Sequence, residues 1–291
     1  MNTQKIKNIP GLGKLAQLHK FTSAGEFANT ALAMPEHHKA HDTAWTGGQG
    51  TTECARMINT GDLSSVPASD KLLDKFSKLL DFGSHAFQTI DAVCGGLPNV
   101  PAYLAGSPLA MRQRVRRESA MAPMTVVVEC VSSGSISGAD IHKRGIAVLA
   151  LVRALAGRRP VTLWLAASMK PSGAKSETGE KLSSVCLAVP IDTAPLDLAR
   201  AAHMLSHTGV SRAVAYRLGS HLTSGCHSTI HWPDDRYSEY KKHCAAAWCA
   251  LLGTDPADTL VLPPVHSTDP CIKEPVQWLA DQVTKYGKAP E

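Results

Sequence analysis

The stretch MTVVVECVSSGSISGADIHKRGIAVLALVRALAGRRPVTLWL, residues 124–165, decides the fold. From Thr125 to Val131 the chain is β-branched and apolar with Glu129 as its only charge, the composition of a strand buried on both faces. A Ser/Gly loop follows. Ser137 then stands where a helix cap belongs, and Ile141, Val148, Leu151, Val152 and Leu155 recur at helical spacing until Gly157. Val161 to Leu165 is the next strand. Strand, helix and strand at this spacing make a βαβ unit with parallel strands, and its crossover is right-handed almost without exception.

The alternation continues outward from that unit. Ser184 to Val189 reads as a third strand and Thr259 to Leu262 as a fourth, with helices from Pro195 to about Gly209, from Ser211 to Leu218, from Tyr237 to Leu252 and from Glu274 to Tyr286. Residues 124–291 are therefore expected to form an open, mostly parallel α/β sheet with helices on both faces, of the Rossmann-like kind. Residues 1–123 read as a helical, loop-rich N-terminal extension. Ser23 and Glu26 have capping-box spacing before a helix that Pro35 stops, and Thr52 to Asn59 is a short second helix. After Ser69 a third carries Leu72, Leu73, Phe76, Leu79 and Leu80 on one face. The breakers Gly95, Gly96, Pro98, Pro101, Gly106, Pro108 and Pro123 mark residues 94–123 as a connecting loop.

Composition sets the class. Of 291 residues, 44% are hydrophobic, enough for a sizeable core, and the net charge of +5 is too small to indicate nucleic acid by itself. No run reaches the length of a membrane span, and the first residues lack the apolar core of a secretory signal, so the expected location is the cytoplasm. The eight cysteines contain no C-x-x-C pair. In a reducing compartment they read as thiols, with Cys130 and Cys186 buried in strands.

In open α/β sheets ligands sit beyond the carboxyl ends of the strands. That rule selects the loop Ser132 to Ser137, then Asp192-Thr193, then His266 to Asp269. Glu129, Ser133, Ser135 and Asp192 form the candidate metal set, whose oxygen donors would take a hard divalent cation such as Mg2+. The same serines also suit a solvated turn and a helix cap. Cys226, His227 and His231, with His221, His243 and Cys244 nearby, are zinc-type ligands, though Trp232-Pro233 interrupts them and no second cysteine pair anchors them. Arg112, Arg114, Arg116 and Arg117 are the one dense basic cluster. In an extended strand the first three would face one way, a phosphate-gripping edge, or else a solvated arm. The run lacks an adjacent aromatic stacking platform, since Tyr103 is the nearest ring in sequence.

The order of strand, acid-and-serine loop, apolar helix and strand resembles a von Willebrand factor A-like domain over residues 124–265. The resemblance implies a metal site on an Asp-x-Ser-x-Ser loop. Here that loop is represented by Glu129, Ser132, Ser133, Ser135 and Ser137, which depart from the motif in both acid and spacing. The string VPAYLAGSPLAMR, Val100 to Arg112, followed by RGIAVLALVRAL and a strand, resembles a group of phage-encoded proteins of unknown function. That resemblance implies a viral or prophage setting and the host cytoplasm. There is no G-x-G-x-x-G after a strand, no P-loop, no H-E-x-x-H and no G-x-S-x-G. A scaffold without a catalytic signature points to a non-enzymatic interaction or assembly protein with another protein as partner. A nucleic-acid-associated protein using Arg112 to Arg117, and a metal-dependent enzyme with its site at the strand ends, are the alternatives.

Overall fold

The computed structural model describes residues 1–34, 45–77, 87–116, 122–132, 134–171, 179–222, 228–229 and 234–287. The apolar runs of the C-terminal half form β6 (Met124–Glu129), β7 (Val161–Pro171), β8 (Ser184–Ile191) and β10 (Thr259–Leu262), all in one sheet. Between β6 and β7 runs α5 (Gly138–Ala156), with the Ser137 hydroxyl accepting from the Asp140 N–H at 3.1 Å. β6 pairs in parallel with β7 and with β10, so the expected βαβ unit is present.

Two features of the main sheet differ from the sequence reading. The first is that residues 1–20 are not helical. β1 (Asn2–Ile9) and β2 (Gly13–Lys20) form an antiparallel hairpin, and β2 pairs in parallel with β8, so the main sheet runs β1-β2-β8-β7-β6-β10. β1 is an edge strand and almost wholly exposed, so it carries none of the apolar alternation by which a strand is recognised. A two-residue strand β9 (Ser228–Thr229) pairs with β7 off this path. The second difference is that β8 runs antiparallel to β7, with Leu163 opposite Ile191 and Met169 opposite Val185.

The sheet has two cores. On one face Val126, Val128, Leu163, Leu165, Val185, Leu187 and Val189 pack under α1 (Ala24–Ala33), α2 (Thr51–Thr60), α3 (Val66–Ser77), α5, α6 (Leu198–Ser206), α7 (Tyr216–Leu222), α9 (Pro270–Lys273) and α10 (Pro275–Tyr286). On the other, Ala16, Leu18, Val127, Ala166, Cys186 and Ala188 meet α8 (Asp234–Leu252) through Cys244, Ala247, Trp248 and Leu251. Alternate residues of each strand enter opposite cores, as the period of two requires. A π-helical turn at Val210–Ala215 joins α6 to α7. Seven described cysteines are free thiols. Cys186 is buried, whereas Cys130, just past the end of β6, is partly exposed.

Residues 94–116 are not a loop. β3 (Phe87–Ala92), β4 (Leu97–Pro98) and β5 (Met111–Arg116) form a separate sheet in the order β3-β5-β4, with the short helix α4 (Val100–Leu104) inserted between β4 and β5. The glycines and prolines shape its turns. A Cβ on Gly95 would lie 2.3 Å from the Arg112 carbonyl oxygen, so only glycine lets this turn pass over β5.

Candidate functional site

The small sheet is pinned by Asn99. Its side chain donates to Asp91 at 3.1 Å and accepts from the Ala102 N–H, capping α4, while its backbone N–H donates to the Ala110 carbonyl at 2.8 Å. Val100, Tyr103 and Leu104 then fall at i, i+3 and i+4 on one face of α4. Among the described residues that face covers nothing. Tyr103 is 73% exposed and Leu104 79%, and Val93, Leu97 and Leu109 beside them are exposed as well. Nine large hydrophobics are exposed among the described residues, and six of them fall between Val93 and Leu109. Scattered apolar residues need no explanation on a surface, but a concentration of this kind marks an interaction face.

The basic cluster belongs to the same unit. Arg112 is exposed and lies 3.7 Å from Asp91 on the neighbouring strand. Arg114 and Arg116 take alternate positions of β5, so the expected one-sided strand spacing is present in the backbone, while Arg117 lies outside the described residues. Residues 87–116 contain three arginines and a single acid, Asp91, and are net basic.

The candidate metal set does not converge. Glu129 points into the α8 core and is fully buried, where its carboxylate accepts from the Trp248 indole N–H and the Ser168 backbone N–H, each at 2.9 Å. Ser135 is exposed in the loop and Ser133 lies outside the described residues. Because β8 is antiparallel to β7, Asp192 falls beside the start of β7, at the opposite end of the sheet from Glu129, and faces Arg200 at 3.6 Å. A parallel third strand would put the Asp-Thr loop at the ligand-binding edge. The reversal of that strand moves it. Cys226, His227 and His231 lie outside the described residues, and Cys244 is buried in the α8 core.

The structure assembles a different cluster that sequence reading passed over. Cys54 on α2, His203 on α6 and His207 at the α6 C-cap each offer one ligand atom, and these lie within 4.8 Å of one another. Cys54 and His203 are buried, and Cys54 Sγ is 3.6 Å from His203 Nε2. The two imidazoles stack with centroids 4.9 Å apart. Burial pushes the Cys54 thiol up to about 12 and the His203 imidazole down to about 4. Both are therefore neutral near pH 7, and the thiol is not the activated thiolate of a cysteine nucleophile. Desolvation pushes the nearby Asp62 carboxyl up, but hydrogen bonds from Ser64 and attraction to His203 and His207 outweigh it and hold it below its usual range. The available signal in the sequence was the i, i+4 pair in His203-Met-Leu-Ser-His207 on an amphipathic helix. Its partner Cys54 is 149 residues away.

Taken together, these features define an α/β protein whose mixed sheet is accompanied by a small basic and apolar three-stranded unit. The chain belongs to the DUF7192 family, a domain of unknown function, which matches residues 6–250 and so includes β2 and all but the last two residues of α8. No curated protein and no solved structure matches the chain. Among the described residues no helix is long and apolar enough to cross a membrane.

Proposed function

We propose that the chain is a non-enzymatic interaction protein that uses the β3-β5-β4 unit to hold an acidic, amphipathic segment of another protein. The observation that carries this reading is the exposed apolar face of α4, which sits in a unit with three arginines and one acid. Full burial of a large aliphatic or aromatic side chain contributes roughly 1.5–3 kcal/mol, so Val100, Tyr103 and Leu104 could anchor a partner helix between them. Carboxylates on that helix would meet the exposed Arg112 of β5 and set its orientation. A second copy of this chain would bring the same basic strands face to face, which disfavours self-association. Nucleic acid would engage Arg112, Arg114, Arg116 and Tyr103 but would leave Leu97, Val100 and Leu104 without apolar partners. The resemblance of Val100–Arg112 to phage-encoded proteins supports a partner within a viral or prophage assembly, and the parallel β6-α5-β7 unit supports the von Willebrand factor A-like reading of residues 124–265.

The test is a titration of the full chain against a labelled helical peptide with leucine on one face and glutamate on the other. Saturable binding that weakens with salt, and that drops by at least about tenfold in a Tyr103→Ser/Leu104→Ser variant, is the expected result. The variant should fold normally because both side chains are exposed. Retention on DNA or on anionic vesicles with no affinity for the peptide would overturn the reading in favour of those partners, and concentration-dependent dimerisation lost in the variant would replace it with self-association.

A further inference from the structure

Three residues from distant parts of the chain converge where none of the proposed interaction chemistry needs them. We infer that Cys54, His203 and His207 form a binding site for a zinc-class divalent cation that clamps α2 to α6. The inference is independent of the peptide-binding reading, since it concerns the helices over the main sheet.

Ligand geometry is the first argument. With Zn–S near 2.3 Å and Zn–N near 2.0–2.1 Å, two tetrahedral ligands place sulfur and nitrogen about 3.5 Å apart. Cys54 Sγ and His203 Nε2 are 3.6 Å apart. That separation also suits a thiol hydrogen bond to an imidazole, so it does not decide alone. Burial sharpens the choice: His203 is 1% exposed, and the sulfur is a weak partner for its buried Nε2, which a metal ion would replace with a strong one.

His207 supplies the second argument. Its Nε2 lies towards Gly47, and its Nδ1 accepts from the Gly209 N–H at 3.1 Å. A metal-ligating histidine commonly donates its second ring N–H to a backbone carbonyl, which fixes the tautomer and aims the other nitrogen at the ion. On ligation Nδ1 would exchange its Gly209 contact for the metal, while a carbonyl at Gly47 could hold Nε2–H in this way.

Space is the third. A Cβ built on Gly209 would stand 3.0 Å from both Cys54 Sγ and His207 Nδ1, so the missing side chain leaves room between these two donors. Gly209 is in ordinary right-handed helical backbone, with φ −61° and ψ −25°, so its conformation does not require glycine. The requirement is local room.

One thiolate and two imidazoles favour Zn2+ over Mg2+ or Ca2+, which take oxygen donors. On binding, the Cys54 S–H bond breaks and its proton leaves to solvent. The thiolate offsets one of the ion's two positive charges. With Cys54 and His203 buried and His207 partly exposed, the ion would have one accessible side and would act chiefly as a clamp.

The experiment uses the full chain, stripped with a chelator and then titrated with Zn2+ or with Co2+ as a coloured substitute. One equivalent of Zn2+ per chain is expected, with a sulfur-to-cobalt charge-transfer band and a rise in thermal midpoint on metal addition. Cys54→Ser should remove the band. Gly209→Ala, which leaves all donors in place, should fold yet lose the bound equivalent, whereas a Cys94→Ser control should keep it. A folded wild type that retains no Zn2+ and gives no cobalt–sulfur band would overturn the inference. So would a band that survives Cys54→Ser, which would locate the metal at another cysteine. If Gly209→Ala fails to fold, the stoichiometry of Cys54→Ser and His207→Gln decides the matter.

Discussion

His19 shows how one buried side chain can set the acid response of the fold. It lies on β2 at 2% exposure, with uncharged partners: Thr3 Oγ1 lies 3.1 Å from Nδ1 and Gln17 Nε2 lies 3.0 Å from its own Nε2. Burial lowers its pKa from the ordinary 6.5 to about 4. As pH falls through 6.5 the unfolded chain takes up this proton while the folded chain does not. Stability is therefore lost between about pH 6.5 and about pH 4 and changes no further through this group below that window. At 1.36 kcal/mol per unit the loss is on the order of 3 kcal/mol. Urea denaturation at several pH values should show His19→Gln flattening the decline across this window. An unchanged slope would mean that His19 titrates normally in the folded protein. Glu129 makes the complementary point. In sequence a lone acid inside an apolar strand suggests a ligand, yet the Trp248 indole and the Ser168 amide hold its carboxylate in the core. The residue type was legible, but the partner that determines its role arrives from α8, over a hundred positions away.

Between elements, the tightest approach is where α5 crosses α6. A Cβ on Gly145 would lie 2.3 Å from both the Leu205 carbonyl oxygen and the Ser206 Cα, contacts with backbone that no side-chain rotation can relieve. Beside it, Arg144 donates to the carbonyls of Glu129, Leu262 and Pro263, tying α5 to the ends of β6 and β10. Gly145→Ala gains about 1 kcal/mol of helix propensity but forces the helices apart, and overpacking of this kind typically costs 1–3 kcal/mol or more. The clash should win, lowering the midpoint of thermal unfolding by several degrees. A midpoint that rises would show that the α5–α6 contact is looser than described. The helix itself was readable to its ends, because its apolar period and the Ser137 and Gly157 signals agree with the packing. The β1-β2 hairpin and the β3-β5-β4 unit were not. Their strands are short, exposed or broken by glycine and proline, and pairing with distant or neighbouring backbone, rather than their own pattern, makes them strands. The Cys54–His203–His207 cluster escaped for the same reason, since tertiary contact alone joins α2 to α6.

At the scale of the whole molecule, the division into residues 1–123 and 124–291 makes a prediction about folding that can be tested directly. β8 is hydrogen-bonded on one side by β7 and on the other by β2, and Val185 to Val189 are at most 1% exposed, so apolar side chains cover both of its faces. Without residues 1–123, β8 becomes an unprotected edge strand, the kind that pairs with other chains. The same truncation removes α1 from above β8, α2 from α6 and α3 from α5. Each Val or Leu thereby uncovered costs roughly 1.5–3 kcal/mol, and a domain's total stability is about 5–15 kcal/mol, so the loss of a few such contacts is enough to unfold it. A fragment starting at Met124 should therefore show no cooperative urea transition and no near-ultraviolet signal from Trp248, and should aggregate through the bared edge. A monomeric fragment that unfolds cooperatively would instead establish residues 124–291 as an independent domain, with the N-terminal hairpin and helices as an accessory layer.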